Sequence, residues 1–198
     1  MSRPALTAER ILEAAEEILR RFGPDKATVL DVARALGVSH GSVYRHFPTK
    51  AALRDAVTRH WLERVSAPLE AVAAGAAPPA QRLRDWLWRL SDTKRTMARE
   101  DPELFATYRR LAGGARNVVD SHEATLAGQL ARIIADGVAC GEFTVHDPVR
   151  AGWAVFRATA RFHHPAHAAE WTDPEMDAAF EDVCALVLRG LGPAGHPM

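Results

Sequence analysis

The feature that most constrains the fold is the stretch 28–50, TVLDVARALGVSHGSVYRHFPTK, because two short helical patterns meet there at one glycine. Thr28, followed three residues later by Asp31, matches the reciprocal capping pattern that starts a helix. Apolar residues then recur at i, i+3, i+4 and i+7, which is the spacing of one helix face: Val29, Val32, Ala33 and Leu36. The stretch therefore opens with a short amphipathic helix.

The second helical pattern is short and polar. Gly37 permits the sharp turn before it, and Ser39 is expected to cap it. The helix should end near Arg45 or Phe47, and Val43 is its clear core residue. Two helices joined in this way predict a helix-turn-helix.

The polar residues of this second helix suit contact with DNA. Small residues let a backbone approach a duplex closely, and hydrogen-bonding side chains can meet phosphates or base edges. A solvated helix in a helical bundle is the alternative interpretation. Base edges are expected to be read by Arg45 and by Ser39 or His40. The side chains expected to face the major groove are His40, Tyr44, Arg45 and His46.

The four residues that follow, FPTK at 47–50, point in the same direction. Phe47 and Pro48 end the helix, and Thr49 is expected to cap the next one. Lys50 then lies in the first turn of that next helix, where a cation is unfavourable to the helix dipole. A lysine at such a position indicates an anion outside the helix, here a DNA phosphate.

Two segments, ILEAAEEILRRFG at 11–23 and ATVLDVARALGVSHGSVYRHFPTKAALRDAV at 27–57, strongly resemble the N-terminal domain of the TetR family of bacterial transcriptional regulators. The match to the family is in register throughout. It includes the phase of the helices, the glycine turn, the motif VSxGSVYxHF and the helix that begins with a lysine. The resemblance implies an all-helical homodimer, usually a repressor, that leaves its operator DNA when a small molecule occupies the C-terminal domain. It also implies which residues hold phosphates: Thr28, Ser42, Tyr44 and Lys50.

The composition favours an all-α chain of about nine helices. Alanine and leucine are abundant and only 2 Tyr are present, which favours helices over a β-rich fold. We predict a DNA-binding domain at 1–48 and an effector-binding and dimerisation domain at 49–198. No run of about 18 apolar residues and no charged-then-apolar leader is present, so we expect a cytoplasmic protein that neither spans a membrane nor is exported.

The net charge is zero over the whole chain, but the charges are unevenly distributed. Residues 1–64 contain 11 Lys or Arg against 8 Asp or Glu, whereas residues 65–198 contain 14 against 17. The positive end of the chain is the end that carries the helix-turn-helix. This is the sign of charge that binding to phosphates requires.

Apolar stripes and cap-and-proline pairs predict the remaining helices. The fourth helix should be kinked or interrupted at Pro68, because proline removes a helix hydrogen bond. Asp-Pro pairs predict the starts of the sixth, eighth and ninth helices at 101–102, 147–148 and 173–174. The last two helices are apolar on more than one face and need cover on both sides. We therefore expect a homodimer formed through these two helices.

A set of large apolar side chains marks the region in which an effector is expected. By the resemblance, these residues fall in the helices that enclose the family's ligand cavity, and ordinary core packing is the alternative for each of them. Arg157 and His163 lie in the same region and would need a protein or ligand partner if they pointed inward. The candidates are Trp86, Leu90, Met97, Phe105, Tyr108, Leu130, Trp153 and Phe156.

His163, His164 and His167 form a cluster that raises the hypothesis of a Zn or Ni site. Pro165 breaks the i, i+4 geometry that would aim two of them at one ion, and no Cys or carboxylate stands at a familiar ligand spacing nearby. We therefore expect these histidines to lie at the end of a loop that packs near the effector pocket or the dimer interface. We expect the protein to bind no metal and no cofactor.

Three functional hypotheses follow from the sequence: a ligand-released repressor, a metal- or redox-responsive regulator, and a helical enzyme. Cys140 and Cys184 are expected to be reduced core residues, which does not favour a redox pair. The sequence has no phosphate-binding glycine loop and no GxSxG, CxxC or HExxH motif. The helix-turn-helix favours the repressor, and we expect no enzymatic activity.

Overall fold

The computed structural model describes residues 5–192, and every regular element in that range is helical. The predicted all-α fold with an N-terminal helix-turn-helix is therefore confirmed. Residues 5–192 form ten α-helices and one 3₁₀ helix, in place of the predicted total of about nine helices. In chain order they are α1 (Ala8–Lys26), α2 (Val29–Leu36), α3 (His40–His46), α4 (Lys50–Ala73), α5 (Pro79–Glu100), α6 (Pro102–Gly114), α7 (Arg116–Ala139), α8 (Pro148–Ala158), α9 (Ala160–His163), the 3₁₀ helix (Pro165–Glu170) and α10 (Met176–Leu191).

The chain forms two compact units. The first contains the chain up to Glu63 together with Asp101–Ser121, and the second contains Arg64–Glu100 and the chain from His122 onward. The predicted division at 48/49 places α4 wholly in the second domain, whereas the compact units share α4 and also α7. The units divide differently because the first half of α4 and the whole of α6 contribute side chains to the first unit.

The first unit is built around one apolar cluster. Thr7 caps α1, and Gly23, with φ of 72° and ψ of 167°, breaks the helix just before Pro24. Helix α6 packs against α1. The cluster draws its buried side chains from α1, α2, α3, α4 and α6, and includes Ile11, Ala15, Leu19, Val29, Val32, Ala33, Val43, Leu53, Val57 and Leu111.

In the second unit α5 and α7 lie side by side and antiparallel. The Arg82 guanidinium donates to Asp136 Oδ2 over 2.8 Å at one level of the pair. Trp86 Nε1 donates to Gln129 Oε1 over 2.9 Å at the next. Going from Arg82 to Trp86 moves four residues forward along α5, while going from Asp136 to Gln129 moves seven residues backward along α7, so the two helices run in opposite directions. Gly152 of α8 lies so close to the α7 backbone that an added Cβ would stand 2.7 Å from a carbonyl oxygen.

The structure refines three predicted helix features. Helix α4 runs without interruption through Pro68, which excludes the predicted break, while the alternative of a kink stays a prediction. The predicted eighth helix is broken after Ala158, because the Thr159 hydroxyl donates to Val155 O over 2.9 Å and a separate turn follows. The last helix begins at Met176, after a turn in which Asp173 accepts from the backbone of Glu175.

The two cysteines lie in different environments. Cys184 is buried, as predicted, whereas Cys140 is exposed, so the prediction that both belong to the core is wrong for Cys140. Cys140 follows the last residue of α7, and the chain turns there at Gly141, which takes a positive φ. Within residues 5–192, no helix has both the length and the apolar content that crossing a membrane requires.

Candidate functional site

Local capping fixes the first helix of the helix-turn-helix. The Thr28 hydroxyl donates to Asp31 Oδ2 over 2.6 Å, and Thr28 Oγ1 accepts from the Asp31 backbone over 3.2 Å. The hydrogen bond from Thr28 also lowers the pKa of the Asp31 carboxyl. At the other end of α2, Gly37 takes the left-handed conformation, with φ of 62° and ψ of 37°. The predicted cap and the predicted glycine turn are both confirmed.

One buried residue orients α3. Val43 is 0% exposed and sits in the core of the first unit, which turns the rest of the short helix outward. Ser39 caps the helix by accepting from Ser42 N over 3.2 Å. The predicted DNA-facing residues of α3 are all exposed: His40, Tyr44, Arg45 and His46. The helix therefore offers a continuous polar face to solvent.

Several side chains on this face contact one another. Arg45 donates to the Ser42 hydroxyl over 3.1 Å, and that hydroxyl lies 2.9 Å from Ser39 Oγ. The His40 and Tyr44 rings meet edge to face, with centroids 6.2 Å apart. These contacts are between neighbours on one exposed helix, so they hold the side chains loosely in place and leave their polar atoms within reach of a partner.

The remaining predicted phosphate ligands flank α3. Thr28 is exposed at the start of α2, and Lys50 is exposed as the first residue of α4. Thr49 accepts from the Ala52 backbone over 2.9 Å, which confirms the predicted start of α4. The hydroxyl of Thr28 already serves its own helix cap. Its proposed contact with DNA is therefore additional to a structural role.

The effector candidates are divided between the two compact units. Phe105 and Tyr108 lie in the first unit, where the Tyr108 ring stacks on Trp61 with centroids 3.5 Å apart. Burial raises the pKa of the Tyr108 hydroxyl. The other six lie in the second unit: Trp86, Leu90, Leu130 and Phe156 are buried, while Met97 and Trp153 are partly buried. Their role in ligand binding stays a prediction.

The second unit contains a polar cluster of which the sequence analysis singled out only His163. Lys94 and His163 are buried, and His122 is partly buried with its Nε2 enclosed. We call Lys94, His122 and His163 the basic cluster. Lys94 is only 5% exposed, and burial lowers the pKa of its ammonium to about 8. It follows Trp86 and Leu90 at intervals of eight and four residues, so it occupies the apolar face of α5. The signal in the sequence that could have indicated this cluster is a lysine at the helical spacing of the apolar residues of α5.

Two imidazoles adjoin Lys94. Burial and the nearby charge of Lys94 lower the pKa of His122 to about 3 and of His163 to about 4, although a hydrogen bond with the Phe156 backbone acts in the opposite sense on His163. The His163 ring stacks on Phe156 with centroids 4.7 Å apart, and His163 Nε2 lies 3.1 Å from Phe156 O. His122 Nε2 is buried and has no hydrogen-bond partner among residues 5–192.

The three clustered histidines of the sequence have separate environments. His163 points inward, while His164 Nδ1 accepts from the Ala166 backbone over 3.2 Å, and His167 Nδ1 lies 2.8 Å from Glu170 Oε1. No group of three potential metal ligands occurs among the described residues. Arg157, in contrast to His163, is exposed and lies over the Trp153 ring at 5.0 Å.

Comparison with known proteins agrees with this architecture. A family profile described as bacterial regulatory proteins, tetR family, matches residues 11–57. The HTH-type transcriptional regulator Rv1255c of Mycobacterium tuberculosis is 34% identical over 115 residues, which are 57% of this chain and 55% of that protein. The repressor Rv1474c of the same organism is 39% identical over 63 residues, 32% of this chain and 34% of that protein. The chain thus aligns with about half the length of Rv1255c.

A solved structure shows the same fold, and a second profile matches the C-terminal part of the chain. The structure of SmeT, the repressor of the Stenotrophomonas maltophilia multidrug efflux pump SmeDEF, matches with a TM-score of 0.66 and 19% identity, over 96% of this chain and 92% of SmeT. A profile described as Tetracyclin repressor-like, C-terminal domain, matches residues 79–184, more than half of the 198 residues. The chain belongs to the TetR family of bacterial transcriptional regulators.

Proposed function

We propose that this protein is an operator-binding transcriptional regulator, and specifically a repressor that a small-molecule effector releases from DNA. The observation that carries the proposal is the polar outer face of α3, held outward by the single buried side chain of Val43. Membership of the TetR family supports the same function. Because the partner is bacterial DNA, the proposal also places the protein in the cytoplasm.

The exposed residues divide into two proposed roles. Arg45, together with Ser39 or His40, reads base edges in the major groove, where a bidentate guanidinium has its commonest specific contact with guanine. His46 faces the same groove. Phosphates are held by residues around the helix, namely Thr28, Ser42, Tyr44 and Lys50. The first group would set sequence preference, and the second would set affinity and its dependence on salt.

We infer that the protein acts as a homodimer through α8 and α10. Both helices lie in the second unit and present large apolar side chains to solvent, with Val149 62% exposed and Leu186 61% exposed. Trp153, Val183 and Val187 are partly buried on the same two helices. A second copy would cover these side chains in a two-fold arrangement. Two α3 helices would then read half-sites about one DNA turn apart.

Release by an effector requires a link between the two units. Helices α4 and α7 each contribute residues to both units, so a ligand that changes either helix in the second unit can change the first. The ligand must bind the released state more tightly than the DNA-bound state, since only differential affinity shifts the equilibrium. We propose the second unit as the effector-binding unit, with the six candidates that lie there.

The proposal is tested by incubating the purified protein with fragmented genomic DNA and sequencing what is retained at moderate salt. We expect a short inverted repeat whose halves lie about one helical turn apart. A variant in which His40 and Arg45 are both alanine should lose that repeat while it keeps weak, salt-sensitive binding to all fragments. Retention of fragments without any shared sequence by the unmodified protein would contradict the proposal.

A further inference from the structure

We propose that the basic cluster binds the carboxylate of the effector, and that the effector is a small hydrophobic monocarboxylic acid. The regulatory consequence of this binding rests on the proposed function above, but the binding event itself does not. The inference depends on three features of the second unit: the register of two helices, the sign of the buried charge, and an unsatisfied buried nitrogen.

The register of α5 and α7 brings Lys94 and His122 to the same level. Arg82 pairs with Asp136, and Trp86 pairs with Gln129, so the two helices are antiparallel and Trp86 and Gln129 lie at one level. Eight residues beyond Trp86 is Lys94, and seven residues before Gln129 is His122. Both steps are about two helical turns, so Lys94 and His122 lie at about the same level of the two helices.

His163 completes the cluster from a third element. Helix α9 packs against α5, and His163, the last residue of α9, is 5% exposed. The charge of Lys94 acts on both His122 and His163, which places the three side chains in one electrostatic neighbourhood. Residues from α5, α7 and α9 therefore converge although they are far apart in the chain.

The buried charge at this place is positive. The pKa values of His122 and His163, at about 3 and about 4, keep both imidazoles neutral near pH 7, whereas the Lys94 pKa of about 8 leaves the ammonium mostly protonated. No carboxylate is among the charges that act on either imidazole. In a region of low dielectric a buried cation strongly attracts an anion and repels a metal ion.

An oxygen ligand would also satisfy His122. Its Nε2 is buried without a hydrogen-bond partner among residues 5–192, and a buried polar nitrogen in that condition costs free energy. In the neutral tautomer with hydrogen on Nε2, this nitrogen can donate to one oxygen of a carboxylate while Lys94 donates to it as well. His163 helps to enclose the ligand and does not hold its carboxylate, since His163 Nε2 already faces Phe156 O.

The residues around the basic cluster favour a ligand that carries one charge and is otherwise apolar. The side chains next along α5 toward its start are Leu90 and Trp86, and both are fully buried. Phe156 stacks on His163 on the other side. One ammonium and one imidazole N–H match the needs of a carboxylate, whereas a phosphate, with more charge and more acceptor oxygens, would require further donors.

The test is isothermal titration calorimetry of the full chain without DNA. The probes are straight-chain carboxylates from hexanoate to dodecanoate together with phenylacetate, each compared with its neutral primary amide. We expect at least one acid to bind, and its amide to bind about tenfold more weakly or worse, because the amide lacks the charge-assisted hydrogen bonds. If no acid of the panel binds, or if acid and amide bind equally, the proposal is wrong.

Variants assign the binding to the cluster. Lys94→Met keeps the length and apolar stem of the side chain and should reduce the affinity for the acid about tenfold or more. Arg89→Met, an exposed position on the same helix, should leave the affinity unchanged and serves as the control. An undiminished affinity in Lys94→Met would overturn the assignment.

A second pair of variants covers the case in which Lys94→Met fails to fold. His122→Leu removes the nitrogen that we assign to the ligand, whereas His122→Gln retains an amide N–H at a similar distance from the backbone. The acid should bind weakly to His122→Leu, and His122→Gln should recover most of the affinity. Equal affinity of the two variants would contradict the proposal.

Recovery of an operator without binding of any acid would overturn this inference alone, and acid binding without an operator would overturn the proposed function alone.

Discussion

Helix α3 and the basic cluster use polar residues in opposite ways. On α3 the one apolar side chain, Val43, is buried and the polar ones face solvent. In the basic cluster Lys94 and His163 are buried, and His122 is partly buried with its Nε2 enclosed. The first arrangement suits a large external partner such as DNA. The second suits a small molecule that enters the protein and loses its contact with water.

The largest expected effect comes from placing a charge on the buried side of α3. Val43→Asp should destabilise the first unit by about 3–5 kcal/mol and abolish binding to DNA, because an unpaired carboxylate cannot be hydrated there. Leu30→Asp is the matched control, since Leu30 is 46% exposed on the adjacent helix. Thermal unfolding of both variants measures the difference. Equal stability of the two would mean that Val43 does not anchor α3.

The basic cluster should make stability sensitive to acid. His163 has a pKa of about 4 in the folded chain against 6.5 for an unperturbed imidazole, so the unfolded chain binds more protons between these values. Stability should therefore fall as the pH drops below 6.5, and most of the loss from this residue, about 3 kcal/mol, should be reached at pH 4.

Urea unfolding of the unmodified chain and of His163→Gln between pH 7 and pH 4 isolates this contribution, because the carboxylates of the chain are the same in both proteins. The variant should show a shallower loss of stability with acid. His146→Gln, at an exposed position, should retain the full loss. A parallel pH dependence in the unmodified chain and His163→Gln would show that His163 is not buried as a neutral imidazole.

On the outer face of α3, base readers and phosphate ligands should be separable. Arg45→Ala should weaken binding to the operator by about 1–3 kcal/mol and relax the preference at the base it reads. Lys50→Ala should weaken binding to all sequences alike and reduce the slope of log affinity against log salt by about one. Fluorescence anisotropy with operator and scrambled duplexes at several salt concentrations measures both quantities. If Lys50→Ala leaves affinity and salt slope unchanged, Lys50 holds no phosphate.

The smallest effect concerns the cap of α2. Thr28→Ala removes the hydroxyl that bonds to Asp31 and should cost about 1 kcal/mol of stability. Thr28→Ser restores the hydroxyl and should recover most of the loss. If Thr28→Ser has normal stability but weakened DNA binding, the methyl group of Thr28 also matters at the interface. Denaturant unfolding and DNA titration of the same samples distinguish these roles.

The helix-turn-helix could be predicted almost residue by residue because its determinants are local. Caps at Thr28 and Ser39, the turn at Gly37 and the single core position at Val43 all act within a few residues of chain. The start of α6 after Asp101 was predictable for the same reason, since its side chain accepts from Leu104 N over 2.9 Å.

The basic cluster could not be predicted in this way, because it depends on the register between α5 and α7 and on the packing of α9. Sequence periodicity indicates which face of a helix is apolar but not which residue of another helix lies opposite. Tyr108 shows the same limit of the sequence. It lies on an apolar stripe like the other effector candidates, and only the structure shows that it packs on Trp61 in the first unit.

The central claim is that α3 reads a specific DNA sequence, and the ratio of affinities for the selected operator and for a scrambled duplex tests it most directly. At physiological salt we expect the unmodified protein to prefer the operator by about a thousandfold or more. The variant with alanine at both His40 and Arg45 should lose most of that ratio, whereas Lys94→Met should keep it. A ratio near one for the unmodified protein, or an unchanged ratio in the α3 variant, would contradict the account.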